Sequence, residues 1–244
     1  MLRSKAVRGL AVLTVCLWSA GGAQGRDLFQ NAKFDVFVLG GGSTLVDPQY
    51  FTSAGNRFHS RFDLGYKFTV GVSVPYGKFL NIESGYTYGP NNLVVTNTSI
   101  FPHAGILYPV RFHMGTLSGV VHTPSSIFGI TPYVAGGVEY DQFSPTPDAV
   151  RTATDVGFGA VSTFPYLSHN DKFGVNLGGG FNRKLTKRIS FRVDLRDHVT
   201  SSPAFGIPTS RAEFSSTGFP TFPVKGRANN IIYEAGFVFH LGKK

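Results

Sequence analysis

The sequence predicts an all-β fold, an eight-stranded antiparallel up-and-down transmembrane β-barrel. Three observations lead to it. Period-two alternation recurs along most of the chain, the mark of strands with two different faces. In most segments one row is nearly all apolar and the other holds the ionisable groups in mid-strand. The connections alternate long and short, as antiparallel strands running up and down would require.

The closing stretch, Asn229 to Leu241, shows the pattern most clearly. Ile231, Tyr233, Ala235, Phe237, Phe239 and Leu241 form one apolar row. Ile232, Glu234, Gly236, Val238 and His240 form the other. A row of that length suits a tilted strand crossing a bilayer, which needs about 9–11 residues. Tyr233, Phe237, Phe239 and Leu241 are therefore expected to face lipid.

The other segments follow in order. Lys33 to Leu45 places Phe34, Val36 and Val38 opposite Asp35 and ends near the run Gly40-Gly41-Gly42. Arg57 to Val74 carries an apolar row from Phe62 to Val74, with Arg61, Asp63, Lys67 and Thr69 on the other face. Phe79 to Tyr88 sets Leu80, Ile82, Tyr86 and Tyr88 against Asn81 and Glu83, and Gly89-Pro90-Asn91-Asn92 is expected to end it. Leu107 to His122 is mixed on both faces, with Phe112, Met114 and Val120 opposing Arg111 and His113. Gly129 to Phe143 sets Val134, Val138 and Tyr140 against Tyr133, Ala135, Gly137 and Glu139. Lys172 to Arg183 alternates Phe173, Val175, Leu177 and Phe181 with Gly174, Asn176, Gly178, Gly180 and Asn182. Arg188 to Thr200 alternates Ile189, Phe191, Val193 and Leu195 with Ser190, Arg192, Asp194, Arg196 and His198. With an even number of strands, both termini fall at the short-turn end.

The N-terminus reads as a secretory signal peptide over residues 1–25, leaving 26–244 as one barrel domain. Arg3, Lys5 and Arg8 precede an apolar run from Leu10 to Trp18, and Ala23-Gln24-Gly25 supplies a small-x-small cleavage site. The only cysteine, Cys16, lies in this segment, so the mature chain is expected to use no disulfides. No run approaches the ~18 apolar residues of a membrane-spanning helix. Charged residues make up 15% of the chain against about 25% in ordinary soluble domains, while 14% are aromatic. The formal charge is +9, and +6 without the three basic residues of the leader. For a secreted chain such a balance points to anionic lipid head groups rather than to nucleic acid.

The polar rows bring acids and bases together in nearly equal numbers. In a closed barrel they would point at one another, and an unpaired buried charge costs several kcal/mol. The expected lumen network comprises Asp35, Asp63, Lys67, Glu83, Arg111, Glu139, Arg192, Asp194, Arg196 and Glu234. Glu83, Glu139 and Glu234 would face Lys67, Arg111, Arg192 and Arg196. Glycines in the same rows would leave room for the long arginines. The specific pairs depend on strand stagger. A gated pore is the alternative role for such a set.

No catalytic, cofactor or metal constellation is legible. His198 with Ser201, and Ser168 with His169, are His/Ser neighbours without an acid placed by a readable motif. A lipid A-modifying enzyme stays a further alternative on that ground. The histidines show no metal-ligand spacing. Gly40-Gly41-Gly42 and Gly178-Gly179-Gly180 lie in strands and are not phosphate loops. Arg211, Lys225 and Arg227 are loop charges that could meet lipopolysaccharide phosphates. A soluble lipocalin-like barrel competes on fold, with the apolar row turned inward around a ligand.

Taken in order, Phe79 to Tyr86, Thr131 to Tyr140, Phe173 to Gly180, Ile189 to Asp197 and Glu234 to Phe239 resemble the outer membrane protein β-barrel domain family, the group that includes the OmpA transmembrane domain. The resemblance covers nearly the whole mature chain. It implies a cell outer membrane location in a Gram-negative bacterium, periplasmic termini, and insertion by the outer-membrane assembly machinery. That machinery reads an aromatic-rich last strand, here Phe237 and Phe239, although Leu241-Gly242-Lys243-Lys244 follow in place of a terminal Phe. The resemblance does not extend to the peptidoglycan-binding domain of OmpA-type proteins, so cell-wall tethering is not an expectation here. The expected protein is a monomer without cofactor and not an enzyme. Its partners would be outer-membrane lipid and lipopolysaccharide, and its role structural or interactional, in envelope stability or adhesion.

Overall fold

The computed structural model describes residues 33–45, 49–53, 56–97, 105–148, 169–203 and 227–241. The proposed leader, residues 1–25, lies outside them, as do Ser168, Arg211 and Lys225. The strands are β1 (Phe34–Leu45), β2 (Gln49–Ser53), β3 (Asn56–Phe62), β4 (Gly65–Tyr76), β5 (Leu80–Asn97), β6 (Gly105–His122), β7 (Ile130–Pro145), β8 (Asn170–Lys184), β9 (Ile189–Ser201) and β10 (Arg227–Leu241). Every pairing is antiparallel. The sheet runs β2-β3-β5-β4-β1-β10-β9-β8-β7-β6 and closes through β5–β6. Closure through β5–β6 leaves the ring itself without an edge, as a chain surrounded by hydrocarbon requires, and β2 extends beyond the ring as a hairpin partner of β3.

The ten strands make eight staves. β3 and β4 both pair with β5 and form one stave, and β2 pairs only with β3. Between β4 and β3 the register on β5 shifts by one residue, from Phe68↔Tyr88 to Phe62↔Leu93. That is a β-bulge at Asp63–Leu64, and it swaps the two faces of the stave. Phe62 is therefore buried and meets the Phe143 ring at 6.0 Å, while Leu64 is exposed. The apolar row expected to run unbroken from Phe62 begins at Leu64.

The third stave is longer than its sequence suggested. Gly89 to Asn92 continues β5 instead of ending it, and the strand runs on to Asn97. Pro90 is tolerated because it lies across from the bulge, where no ladder partner on the β3–β4 side needs its missing N–H. Asn92 takes up the slack by accepting from the Asp63 N–H at 2.9 Å.

The outward row is a continuous apolar wall. Leu64 just before β4, Tyr66, Phe68, Val70, Val72 and Val74 along it, and Phe173, Val175 and Leu177 along β8 are exposed. On β10, Tyr233, Phe237, Phe239 and Leu241 are exposed. A soluble ligand-binding barrel would bury this row and expose the charged one. The burial is the reverse: Lys67, Glu83, Glu139, Arg192, Asp194 and Arg196 are all buried. Residues 77–79, 123–129 and 185–188 form short turns at one end, where β1 starts and β10 stops.

Candidate functional site

The lumen is where the sequence places its ionisable groups, and the ladder registers decide which of them meet. β5 and β9 lie on opposite sides of the eight-stave ring. From β5, Glu83 reaches across to Arg192 on β9 in a two-pronged bond, Nη1 to Oε1 at 2.7 Å and Nη2 to Oε2 at 3.0 Å. A planar guanidinium matches a carboxylate in this way. β1 and β7 form the perpendicular pair of walls. Their aromatic rings sandwich the same guanidinium, Phe37 at 5.1 Å and Tyr133 at 4.6 Å. Arg192 thus holds all four quadrants of the lumen together, and it is one of the most completely buried side chains described.

Asp194 and Arg196, on the same face of β9, complete the cluster. Asp194 accepts from Arg192 Nη2 at 2.8 Å, from Arg196 Nε at 2.8 Å and from the Tyr133 hydroxyl at 2.6 Å. Arg196 Nη2 also reaches Glu83 Oε2 at 3.2 Å, and its Nη1 reaches Ser118 Oγ at 3.2 Å. The Arg192 Nε donates to the Tyr133 oxygen at 2.8 Å. Two acids and two bases balance, and their many hydrogen bonds offset desolvation.

Two glycines make the close packing possible. A methyl group at Gly180 would lie 1.9 Å from the Val193 carbonyl oxygen and 2.6 Å from the Tyr133 hydroxyl. One at Gly178 would meet the Leu195 carbonyl at 2.1 Å and Arg196 Cγ at 2.9 Å. Gly180→Ala is expected to destabilise the barrel by about 1–3 kcal/mol, the usual cost of overpacking. Gly115→Ala, where added atoms meet nothing within 4 Å, is the control. Urea unfolding of the two variants checks this.

Toward the long-connection end the lumen becomes acid-rich. His198 Nδ1 meets Glu139 Oε2 at 2.5 Å. Glu234 accepts from the Thr69 hydroxyl at 2.7 Å, and Thr69 is bonded in turn to Thr87 at 2.7 Å. Glu139 Oε1 and Asp141 Oδ1 are buried without a hydrogen-bond partner among the described residues. A nearby cavity lined by Thr69, Thr87, Met114, His198 and Glu234 leaves about 30 Å³ for water centres, room for about two waters. Lys67 bonds Asn91 and lies 4.9 Å from the Phe112 ring. It makes no ion pair with Glu234 among the described residues. Phe62, Phe112 and Phe143 close this end of the lumen with an aromatic stopper.

Three residues of the expected network lie elsewhere. Arg111 is exposed on the outer wall, because the inward positions of β6 go to Phe112, Met114, Ser118 and Val120. His113 follows it outward, bonded to the Tyr86 hydroxyl at 2.6 Å. The aromatic stopper leaves no charged slot at this level. Asp63 stands at the bulge, half-exposed, with Arg61 at 3.6 Å. Asp35 remains inward but at the short-turn mouth, where it meets His240 and not the central cluster. Apolar residues also occupy inward positions, notably Phe37, Leu39, Ile232 and Val238. Of the His/Ser neighbours considered for catalysis, His198 is buried in the lumen and Ser201 is exposed on the outer face, so they form no dyad. Among the described residues no cluster of metal-binding side chains occurs.

No family model matches the chain, and no curated protein matches it. Solved structures do. The outer membrane protein OprG from Pseudomonas aeruginosa aligns with a TM-score of 0.53 at 14% identity, covering 88% of this chain and 98% of OprG. Neisserial surface protein A aligns with a TM-score of 0.51 at 10% identity, covering 85% of this chain and 97% of its own. Likeness at such identities is likeness of architecture: the chain has the fold of the small eight-stranded outer-membrane β-barrels.

Proposed function

We propose that the protein is a monomeric outer-membrane barrel with a structural or interactional role, its lumen plugged and its long connections presented outside the cell. The observation that carries this reading is Arg192, bonded to Glu83 across the full width of the lumen and clamped between Phe37 and Tyr133. A plug of this kind supports a wall element rather than a conduit. The exposed apolar wall supports residence in a bilayer. The termini and short turns would lie in the periplasm. Exposed Arg111 and Arg227, at the opposite end, would be available to lipopolysaccharide phosphates. Phe237 and Phe239 would serve both as lipid contacts and as the signal for the assembly machinery.

Two measurements test this. Unboiled protein extracted from outer-membrane fractions is expected to migrate differently from boiled protein on a gel. Solubility without detergent would sink the membrane reading. In planar bilayers the wild type is expected to be electrically silent. A steady conductance abolished by Glu83→Gln would instead identify a gated pore.

A further inference from the structure

The short-turn mouth holds a second polar constellation, separate from the central cluster. Asp35 pairs with His240 in the β1–β10 ladder, and Ser190 pairs with Val238 in the β10–β9 ladder. All three side chains lie on the inward row, so the imidazole sits between a carboxylate from one neighbouring strand and a hydroxyl from the other. His240 Nδ1 lies 2.9 Å from Asp35 Oδ1, and Nε2 lies 2.7 Å from Ser190 Oγ. One tautomer satisfies both contacts: Nδ1–H donates to the carboxylate, and the Nε2 lone pair accepts from the hydroxyl. In that arrangement an imidazole takes a serine proton as the oxygen attacks a carbonyl.

We propose that Ser190, His240 and Asp35 form a nucleophile, base and positioning carboxylate at the short-turn mouth, acting on small carboxylic esters that carry an anionic group. Access is from the mouth. The side chains of His240 and Asp35 are 36% and 20% exposed, with Ser190 buried behind the ring. The next layer inward is apolar, Phe37 and Val238, and makes the floor of the recess. The anionic preference follows from the rim. Lys33, Lys184, Lys187 and Arg188 are all exposed there, and the short turns 77–79, 123–129 and 185–188 contain no acid. Arg188 is tied to the site, because its carbonyl accepts the His240 N–H at 2.8 Å. A field of one sign at a mouth raises the local concentration of opposite charge.

The chemistry balances with ester and water alone. Ser190 Oγ bonds to the ester carbonyl carbon as its proton passes to His240 Nε2. The bond to the leaving alcohol breaks, and the alcohol departs with that proton. Water then attacks the acyl-serine, His240 takes its proton and returns it to Ser190 Oγ, and the free acid leaves. Asn81, whose amide donates to Ser73 at 3.1 Å across from Asp35, supplies an amide group at the same rim.

The test uses the full chain folded in detergent, with folding verified by heat-shifted mobility. A biotinylated fluorophosphonate followed by peptide mass mapping is expected to give one adduct, on Ser190, absent in Ser190→Ala. His240→Gln should slow labelling by about 100-fold or more, the range for removal of a general base. Asp35→Asn should slow it less. The triple variant Lys184→Gln/Lys187→Gln/Arg188→Gln should lose several-fold of its rate on 4-nitrophenyl hemisuccinate at low salt, and little on 4-nitrophenyl acetate. A folded barrel that stays unlabelled at Ser190, or labels equally fast as His240→Gln, overturns the relay and leaves the barrel reading intact. Equal rates on both esters overturn the anionic preference. Loss of the mobility shift in the wild type counts against the barrel itself.

Discussion

Arg192→Leu is expected to be the most damaging single change in the lumen, lowering stability by about 3–5 kcal/mol, the usual effect of removing one partner from a buried ion cluster. The substitution keeps a bulky apolar group between Phe37 and Tyr133 but deletes both bonds to Glu83 and the bond to Asp194. Two carboxylates then share Arg196 alone. Glu83→Leu/Arg192→Leu removes one charge of each sign and should be less destabilised than the two single variants together. The difference should lie within the 0.5–3 kcal/mol typical of interacting pairs. Urea unfolding, followed by circular dichroism and by gel mobility, measures all three. Strict additivity would mean that the contact across the lumen contributes nothing to the fold.

Much of this arrangement was legible in the sequence. Strands such as β8 and β9 alternate so cleanly that their outward and inward rows can be assigned residue by residue. The same alternation placed Glu83, Arg192, Asp194 and Arg196 inward. It could not pair them, because pairing depends on stagger: a one-residue slip of a stave turns every side chain to the other face. The bulge at Asp63–Leu64 makes that slip locally, which is why Phe62 enters the lumen and Asp63 stays at the rim. Arg111 departs from its expected inward place for a related reason. Polarity in a mixed segment reads as inward, yet at that level the interior is aromatic and the outer wall approaches the interfacial zone, where an arginine is at ease. In the sequence Ser190 is only a small polar residue in an inward row. Its contact with His240, 50 residues away, exists only once β9 and β10 are in register.

Leu177→Arg is expected to cost about 2–4 kcal/mol, the depth-dependent charge for arginine near the bilayer midplane on the lipid face of a barrel. Leu177 is the central member of the outward row on β8, between Val175 and Gly179, and it is 70% exposed. In water an exposed leucine replaced by arginine is nearly neutral, since surface substitutions usually fall within about 0.5 kcal/mol. The same variant therefore separates a barrel in lipid from a barrel in water without altering any contact in the lumen. Leu185→Arg supplies the internal comparison. Leu185 is also exposed, at 52%, but it sits in the turn between β8 and β9 beside Lys184 and Lys187. Its replacement should change stability little in either surrounding. Unfolding in phospholipid vesicles should thus show a large effect at 177 and almost none at 185. If both substitutions were silent in vesicles, the apolar row would not be meeting hydrocarbon, and the burial of charge inside the barrel would need another explanation.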